Sequence, residues 1–251
     1  GYIYSWGDNQ RYQLGGEIMD ADTIDRRRPY PDQVRNGENP VTTATRVFAG
    51  AWHSLAMCEE TDLKTFKAPY SLIAWGDNTR QQLGSKNGND YSNVAAPVRL
   101  IADAPLSNVI DVSAGYYHTV VLYNNNEGQA VRVFGDNSAK QLGPITNTAA
   151  TNVAYGTDME DGGKVISNAI SVSAGKNHTI VIRGSYDTKG EELVSTTVYS
   201  FGNGVEKSWK DAIVTDANGK FLTKADAGND FTVALDRNNN VFAWGQNDRG
   251  Q

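Results

Sequence analysis

The sequence predicts an all-β protein, a run of β-propeller blades built on one internal repeat, and three observations predict it. Two short motifs alternate along the whole chain, the apolar residues around them follow a period of two, and Gly, Asn and Asp punctuate the apolar runs. No segment carries a long apolar stripe at helical spacing.

The first motif reads Trp6-Gly7-Asp8-Asn9 followed by Gln13-Leu14-Gly15. It returns as Trp75-Gly76-Asp77-Asn78 with Gln82-Leu83-Gly84, and as Phe134-Gly135-Asp136-Asn137 with Gln141-Leu142-Gly143. Phe201-Gly202-Asn203 is a degenerate copy without the tail, and Trp244-Gly245-Gln246-Asn247 runs to Gln251. The second motif is Ala49-Gly50-Ala51-Trp52-His53-Ser54. Its relatives begin at Ala114-Gly115, Ala174-Gly175 and Ala227-Gly228, and end in His118-Thr119, His178-Thr179 and Phe231-Thr232. The four glycines are 65, 60 and 53 residues apart, and all three histidines of the chain share one register.

Short β-branched strands surround these anchors. Val109-Ile110-Asp111-Val112-Ser113 leads into Gly115, and Thr119-Val120-Val121-Leu122-Tyr123 leads away from it; Ile170 to Ser173 and Thr179 to Ile182 repeat the design. Each His strand then turns back into an aromatic-Gly strand through a connection of varying length: tight at Asp236 to Asn240, longer at Asn124 to Gly128, longest from Cys58 to Tyr70 and from Arg183 to Glu192. One unit is thus a small antiparallel sheet, which must stack on its neighbours to bury both faces. Residues 1–251 read as a single propeller domain, with units anchored near 49–84, 114–143, 174–210 and 227–251, and with 1–15 closing a preceding unit.

The pairing of these two motifs resembles the regulator of chromosome condensation repeat. That family forms β-propellers, commonly seven-bladed, with four-stranded blades. The resemblance covers essentially the whole chain and implies four to five blades' worth of a seven-bladed ring. At about 60 residues per unit, seven blades need about 350–420 residues, so the expectation is a longer molecule in which the rest of the propeller covers the raw strand edges. The family's lead-in strand, Pro-x-x-Val, is matched by Pro31-Asp32-Gln33-Val34 and loosely by Pro97-Val98, whereas residues 152–161 read as irregular.

Composition narrows the function classes. The net charge is −6 and the sequence pI about 5.1, which argues against nucleic acid as the main partner, because phosphate binding needs a surplus of Lys and Arg. The one basic cluster, Arg26-Arg27-Arg28, is offset by Asp20, Asp22 and Asp25. No apolar run is long enough to predict insertion in a membrane. A single cysteine, Cys58, excludes an intrachain disulfide. The chain starts without Met, which reads as a processed or excised N-terminus.

Candidate site residues are weighed against structural duty. His53, His118 and His178 could form a metal or catalytic set, but facing sheets pack about 10 Å apart and zinc needs nitrogens near 2.0–2.1 Å. Phe231 fills the fourth histidine slot, so the rings are expected to be structural, hydrogen-bonding backbone within their own blade. Trp6, Trp75, Phe134, Phe201 and Trp244 are expected to pack between blades. The alternative, a light-sensing tryptophan cluster as in the plant ultraviolet-B photoreceptor of the family, lacks a Gly-Trp-Arg-His-Thr run here. Only Trp52 and Trp209 lie outside the aromatic-Gly slots. Asp8, Asp77 and Asp136 are each followed by Asn, the chemistry of a side-chain-stabilised turn rather than of paired acid and base. Gly7, Gly76, Gly135, Gly50, Gly115 and Gly175 are expected to hold positive φ or to allow close backbone approach. Asp236 to Asn240 opens like a calcium loop but offers Val241 where the turn needs Gly, and reads as a hairpin. Asn177-His178-Thr179 is formally a glycosylation sequon inside the His motif.

The two residues between Ala-Gly and His vary freely: Ala51-Trp52, Tyr116-Tyr117, Lys176-Asn177 and Asn229-Asp230. Repeated along one edge of the ring, Trp52, Tyr116, Tyr117, Lys176, Asn177, Asn229 and Asp230 read either as a partner-binding face or as half-buried turn residues. The expectation is a non-catalytic protein-interaction scaffold without cofactor or metal, with a protein partner, and a module of a larger bacterial surface or secreted protein. The alternative implied by the family is an intracellular regulator similar to the exchange factor for the GTPase Ran. Its chromatin role rests on basic segments that this acidic chain lacks. No enzyme constellation is present in the sequence.

Overall fold

The computed structural model describes residues 1–16, 27–59, 70–85, 89–100, 104–145, 150–161, 163–186, 189–190, 193–202 and 221–250. Asp20, Asp22, Asp25 and Arg26 of the basic cluster, Asn203 and Trp209 with the 203–210 end of the third unit, and Gln251 lie outside them. All described regular structure is β.

An opening pair, β1 (Tyr4–Gly7) and β2 (Arg28–Gln33), is followed by a two-residue hairpin, β3 (Arg35–Asn36) and β4 (Asn39–Pro40). Blade one is β5 (Ala44–Ala49), β6 (His53–Glu59), β7 (Tyr70–Asp77) and β8 (Tyr91–Pro97). Blade two is β9 (Val109–Ala114), β10 (His118–Asn125), β11 (Gly128–Asp136) and β12 (Asn152–Asp158). A second small hairpin, β13 (Glu160–Asp161) and β14 (Lys164–Val165), leads to blade three, β15 (Ala169–Ala174), β16 (His178–Tyr186) and β17 (Leu193–Gly202). Blade four is β18 (Leu222–Ala227), β19 (Phe231–Asp236) and β20 (Val241–Gly245). Every described pairing is antiparallel and joins strands in chain order. The first strands of successive blades contact one another (β5 with β9, β9 with β15, β15 with β18), which makes them the innermost strands of the arc.

Period-two alternation gives each blade two apolar faces, and each face finishes a different core. In blade two, Val121, Tyr123 and Phe134 pack with Leu55, Met57 and Leu72 of blade one. The opposite face, Val120, Leu122, Val131 and Val133, packs with Val172, Val181 and Phe201 of blade three.

Two expectations change here. Residues 152–161 are ordered strand, not an irregular stretch: β12 is the fourth strand of blade two. In addition, the Pro-x-x-Val strand belongs to the outer edge of the preceding blade rather than leading into its own. Val34 and Val98, just past β2 and β8, are buried and donate their N–H to Ile3 and Leu72 carbonyls at 3.0 and 2.8 Å. Met159 does the same toward Val131 at 2.9 Å. It fills the valine slot with a different apolar side chain, which hid the third copy from a motif search.

Candidate functional site

The aromatic-Gly loops are built by their own side chains. The Asn Oδ1 of each loop accepts the N–H of the Leu five residues on: Asn9 from Leu14 at 2.9 Å, Asn78 from Leu83 at 3.1 Å, Asn137 from Leu142 at 3.0 Å. Asp77 accepts the Thr79 N–H and hydroxyl, and Asp136 accepts the Ser138 hydroxyl and the Gln141 amide at 2.8 Å. Asp8 accepts from Gln13 at 3.1 Å. These bonds hold Tyr12, Gln81 and Lys140 in the left-handed region at φ 62°, 67° and 63°, a conformation that costs a non-glycine residue about 1 kcal/mol. The carboxylates are therefore occupied within their own turns.

The tail glycine of each loop lies against the aromatic residue of the next blade. A methyl group on Gly84 would sit 2.9 Å from the Phe134 ring, and one on Gly15 would sit 2.5 Å from Trp75. Trp75, Phe134 and Phe201 are accordingly buried, and Trp75 Nε1 donates to the Gln13 carbonyl at 2.9 Å. Trp6 departs from the expectation of core packing: it is 60% exposed, because no described sheet lies against that side of the opening pair. Trp244 is half-buried.

The glycines divide by motif. Gly7, Gly76 and Gly135 have φ of 106°, 106° and 104°. Gly50, Gly115 and Gly175 are not in the positive-φ set; they permit close approach. A methyl group on Gly115 would meet the His118 ring and the Gly175 carbonyl oxygen, both at 2.5 Å. Through this contact the N–H after each glycine reaches the next blade: Ala51 donates to Gly115 O, Tyr116 to Gly175 O and Lys176 to Gly228 O, at 3.2–3.3 Å.

The histidines bridge blades instead of bonding backbone in their own. His53 Nε2 lies 2.9 Å from Thr119 Oγ1, His118 Nε2 3.0 Å from Thr179 Oγ1, and His178 Nε2 3.2 Å from Thr232 Oγ1. The Thr119 hydroxyl donates its proton to Gln82 O at 3.0 Å, so His53 Nε2 must carry the hydrogen between them. The Nδ1 atoms of all three rings are buried with no hydrogen-bond partner among the described residues. Desolvation pushes His53 down to about 4 against the opposing pull of Asp77, and pushes His118 down to about 3, aided by the neighbouring His53 and His178. His178 is lowered by burial as well, with Asp230 opposing. Neutral rings divided one to a seam make a staple. Among the described residues no group of three or more His, Cys, Asp or Glu lies together as a metal site.

The variable pairs occupy the turns between the glycine-to-glycine bonds and the histidines. Tyr116 is 39% exposed and meets Tyr117 edge-on, with ring centroids 6.1 Å apart. Lys176 Nζ of blade three stands 5.8 Å from the centre of the Tyr116 ring. Trp52, Tyr117, Lys176, Asn177 and Asp230 are half-buried and Asn229 is exposed. Asn229 and Asp230 bond each other at 3.0 Å. The aromatic-Gly loops emerge beside these turns, since Trp52 O accepts the Asp77 N–H and Tyr117 O accepts the Asp136 N–H, each at 2.8 Å. One end of the blade stack thus combines the variable pairs with the outer loops, and the strand hairpins lie at the other.

Antiparallel blades of three or four described strands, locked by glycine contacts and a His-to-Thr staple, define a β-propeller repeat protein. The chain belongs to the regulator of chromosome condensation (RCC1) repeat family, whose profiles match residues 1–57, 71–122, 109–141 and 223–251. It is similar to the human E3 ubiquitin-protein ligase HERC2, 24% identical over 255 residues, covering 100% of this chain and 5% of that protein. It is also similar to the Arabidopsis thaliana ultraviolet-B receptor UVR8, 26% identical over 259 residues, covering 100% of this chain and 50% of the receptor. The chain therefore spans half or less of these curated relatives. Among solved structures, human WBSCR16 aligns with a TM-score of 0.68 at 21% identity, over 99% of this chain and 62% of that one. Prp20p from Saccharomyces cerevisiae aligns with 0.58 at 16% identity, over 100% and 53%. Both likenesses support the propeller fold.

Proposed function

We propose that this chain is a non-catalytic protein-interaction scaffold whose partner binds the face carrying Trp52, Tyr116, Tyr117, Lys176, Asn177, Asn229 and Asp230. The carrying observation is the separation of duties within one motif. Glycine backbone and histidine side chain hold the blades together, while the two residues between them take any chemistry. Aromatic residues at such positions suit recognition, where Tyr and Trp are enriched. The acidic balance and Asn- and Thr-rich loops favour a module of a larger bacterial surface or secreted protein.

A second reading is exchange on a Ran-like GTPase. It is favoured by similarity to the guanine nucleotide exchange factor SRM1 of Saccharomyces cerevisiae, 25% identical over 130 residues, covering 51% of this chain and 23% of that protein.

Amide hydrogen exchange on a captured complex tests the scaffold reading. Protection is expected at residues 51–52, 116–117, 176–177 and 229–230, and protection confined to the hairpin end would overturn it. Acceleration of nucleotide release from a Ran-type GTPase would favour the second reading.

A further inference from the structure

We infer that the face where blades two and three meet recognises an acidic polypeptide segment that also carries an apolar side chain; this rests on the interaction-scaffold reading and names its ligand class. Tyr116 presents an exposed ring, Tyr117 braces it edge-on, and Lys176 reaches over it from the next blade. A second cation, the exposed Arg80, sits on the adjoining loop of blade one. Arg80 stands two residues before Gln82, and Gln82 abuts the Tyr117 turn: a methyl group on Gly135 would lie 2.5 Å from Tyr117 O and 3.2 Å from Gln82 Cα. Arg11, at the same loop position in the opening pair, reaches across its seam to Asp77 at 3.8 Å. The corresponding acid beyond Arg80 is Asp136, whose carboxylate is taken by Ser138 and Gln141.

Among the described residues neither Arg80 nor Lys176 pairs with a carboxylate, in contrast to Arg11, Arg46 and Arg132. The polar groups gathered here (guanidinium, ammonium, two phenols and the Asn177 amide) are rich in donors, and the aromatic rings supply apolar area between the charges. Carboxylates flanking an apolar side chain complement that arrangement. Asp230 on blade four sets the opposite sign at the far edge, so the acidic part of the ligand lies toward Arg80 and Lys176. The net charge of −6 opposes every polyanion, and it opposes a phosphate backbone, charged at each nucleotide, more than a peptide whose acids are interrupted by apolar residues, which favours the peptide.

Fluorescence anisotropy of the full chain tests this with a fluorescein-labelled peptide alternating Glu-Asp pairs with Phe and Leu, beside the same peptide with Lys replacing every acid. The acidic peptide is expected to bind and the basic one not to. Lys176→Glu and Arg80→Glu should each weaken binding by about tenfold, more at low salt than at high. Lys189→Glu, an equal charge change at an exposed position between β16 and β17, should leave it unchanged. Circular dichroism confirms that each variant folds. Equal binding of both peptides, binding of neither, loss with Lys189→Glu, or preference for a single-stranded oligonucleotide would overturn the assignment. If a captured protein still protects residues 116–117 and 176–177 while the acidic peptide fails, the scaffold reading stands and this inference falls.

Discussion

His53 and Thr119 meet at 2.9 Å across the seam between blades one and two although 66 residues separate them in sequence. The ring donates, the hydroxyl accepts, and the same hydroxyl passes its own proton to Gln82 O on the earlier blade. One buried threonine therefore makes two bonds into the neighbouring blade. Thr119→Val keeps the shape and strands the His53 N–H, which should destabilise the fold by about 1–3 kcal/mol in chemical denaturation. An unchanged midpoint would mean the bond is idle.

Blade four holds Phe231 where the other blades hold histidine, so a phenyl ring can occupy the slot. His53→Phe is expected to be milder than His53→Ala, which opens a cavity and should cost about 2–5 kcal/mol. The reverse ranking in the same experiment would show that the hydrogen bond outweighs the packing.

Acid should loosen the seams. A charged ring carries N–H on both nitrogens, and among the described residues Nδ1 makes no hydrogen bond in its buried pocket. The histidines titrate near 6.5 when unfolded and are lowered in the fold, to about 4 for His53 and about 3 for His118. Between those values the unfolded chain binds more protons, so their contribution is full above pH 6.5 and is lost as pH falls toward 4 and then 3. Urea midpoints measured from pH 8 to pH 3 should fall over that window. The fall should be shallower in His53→Phe; an identical slope would assign the acid sensitivity to carboxylates.

Aromatic residues at one motif position should differ sharply in weight. Phe134→Ala is expected to cost about 3–5 kcal/mol, because the ring is fully buried between blades. Trp6→Ala, at a site 60% exposed, should stay within about 0.5 kcal/mol. Comparable losses for both would mean that the Trp6 side is covered in solution.

Tail glycines carry a second load beyond conformation. Gly37 and Gly84 share φ near 64°, at 63° and 64°, but a methyl group on Gly37 meets nothing whereas one on Gly84 strikes Phe134 and Val98. Gly37→Ala should cost about 1 kcal/mol from backbone alone, and Gly84→Ala about 1–3 kcal/mol more from overpacking. Thermal unfolding of the two variants separates the contributions.

The propeller and its repeat were legible because strand alternation and turn chemistry are local: Val120 and Val121 declare opposite faces, and Asp136-Asn137 declares a turn. Contacts between units were not legible in the same way. Nothing in Ala-Gly-x-x-His says that the ring crosses to a threonine about 60 residues on, since the partner is fixed only when sheets stack. Met159 was hidden because any apolar side chain of suitable volume can fill the valine slot. Exposure of Trp6 also escaped the motif, which is the same whether or not a sheet lies beside it. On the candidate face, the variable pairs stood out by sequence, whereas the placement of Lys176 over Tyr116 required the curvature of the arc.

The bonds running from Ala51, Tyr116 and Lys176 to successive glycine oxygens use main-chain atoms alone. Mutation at those positions therefore keeps the main-chain bonds that join the blades, and selection can rewrite what the surface grips one residue at a time. A molecule wired this way keeps its frame while its specificity drifts.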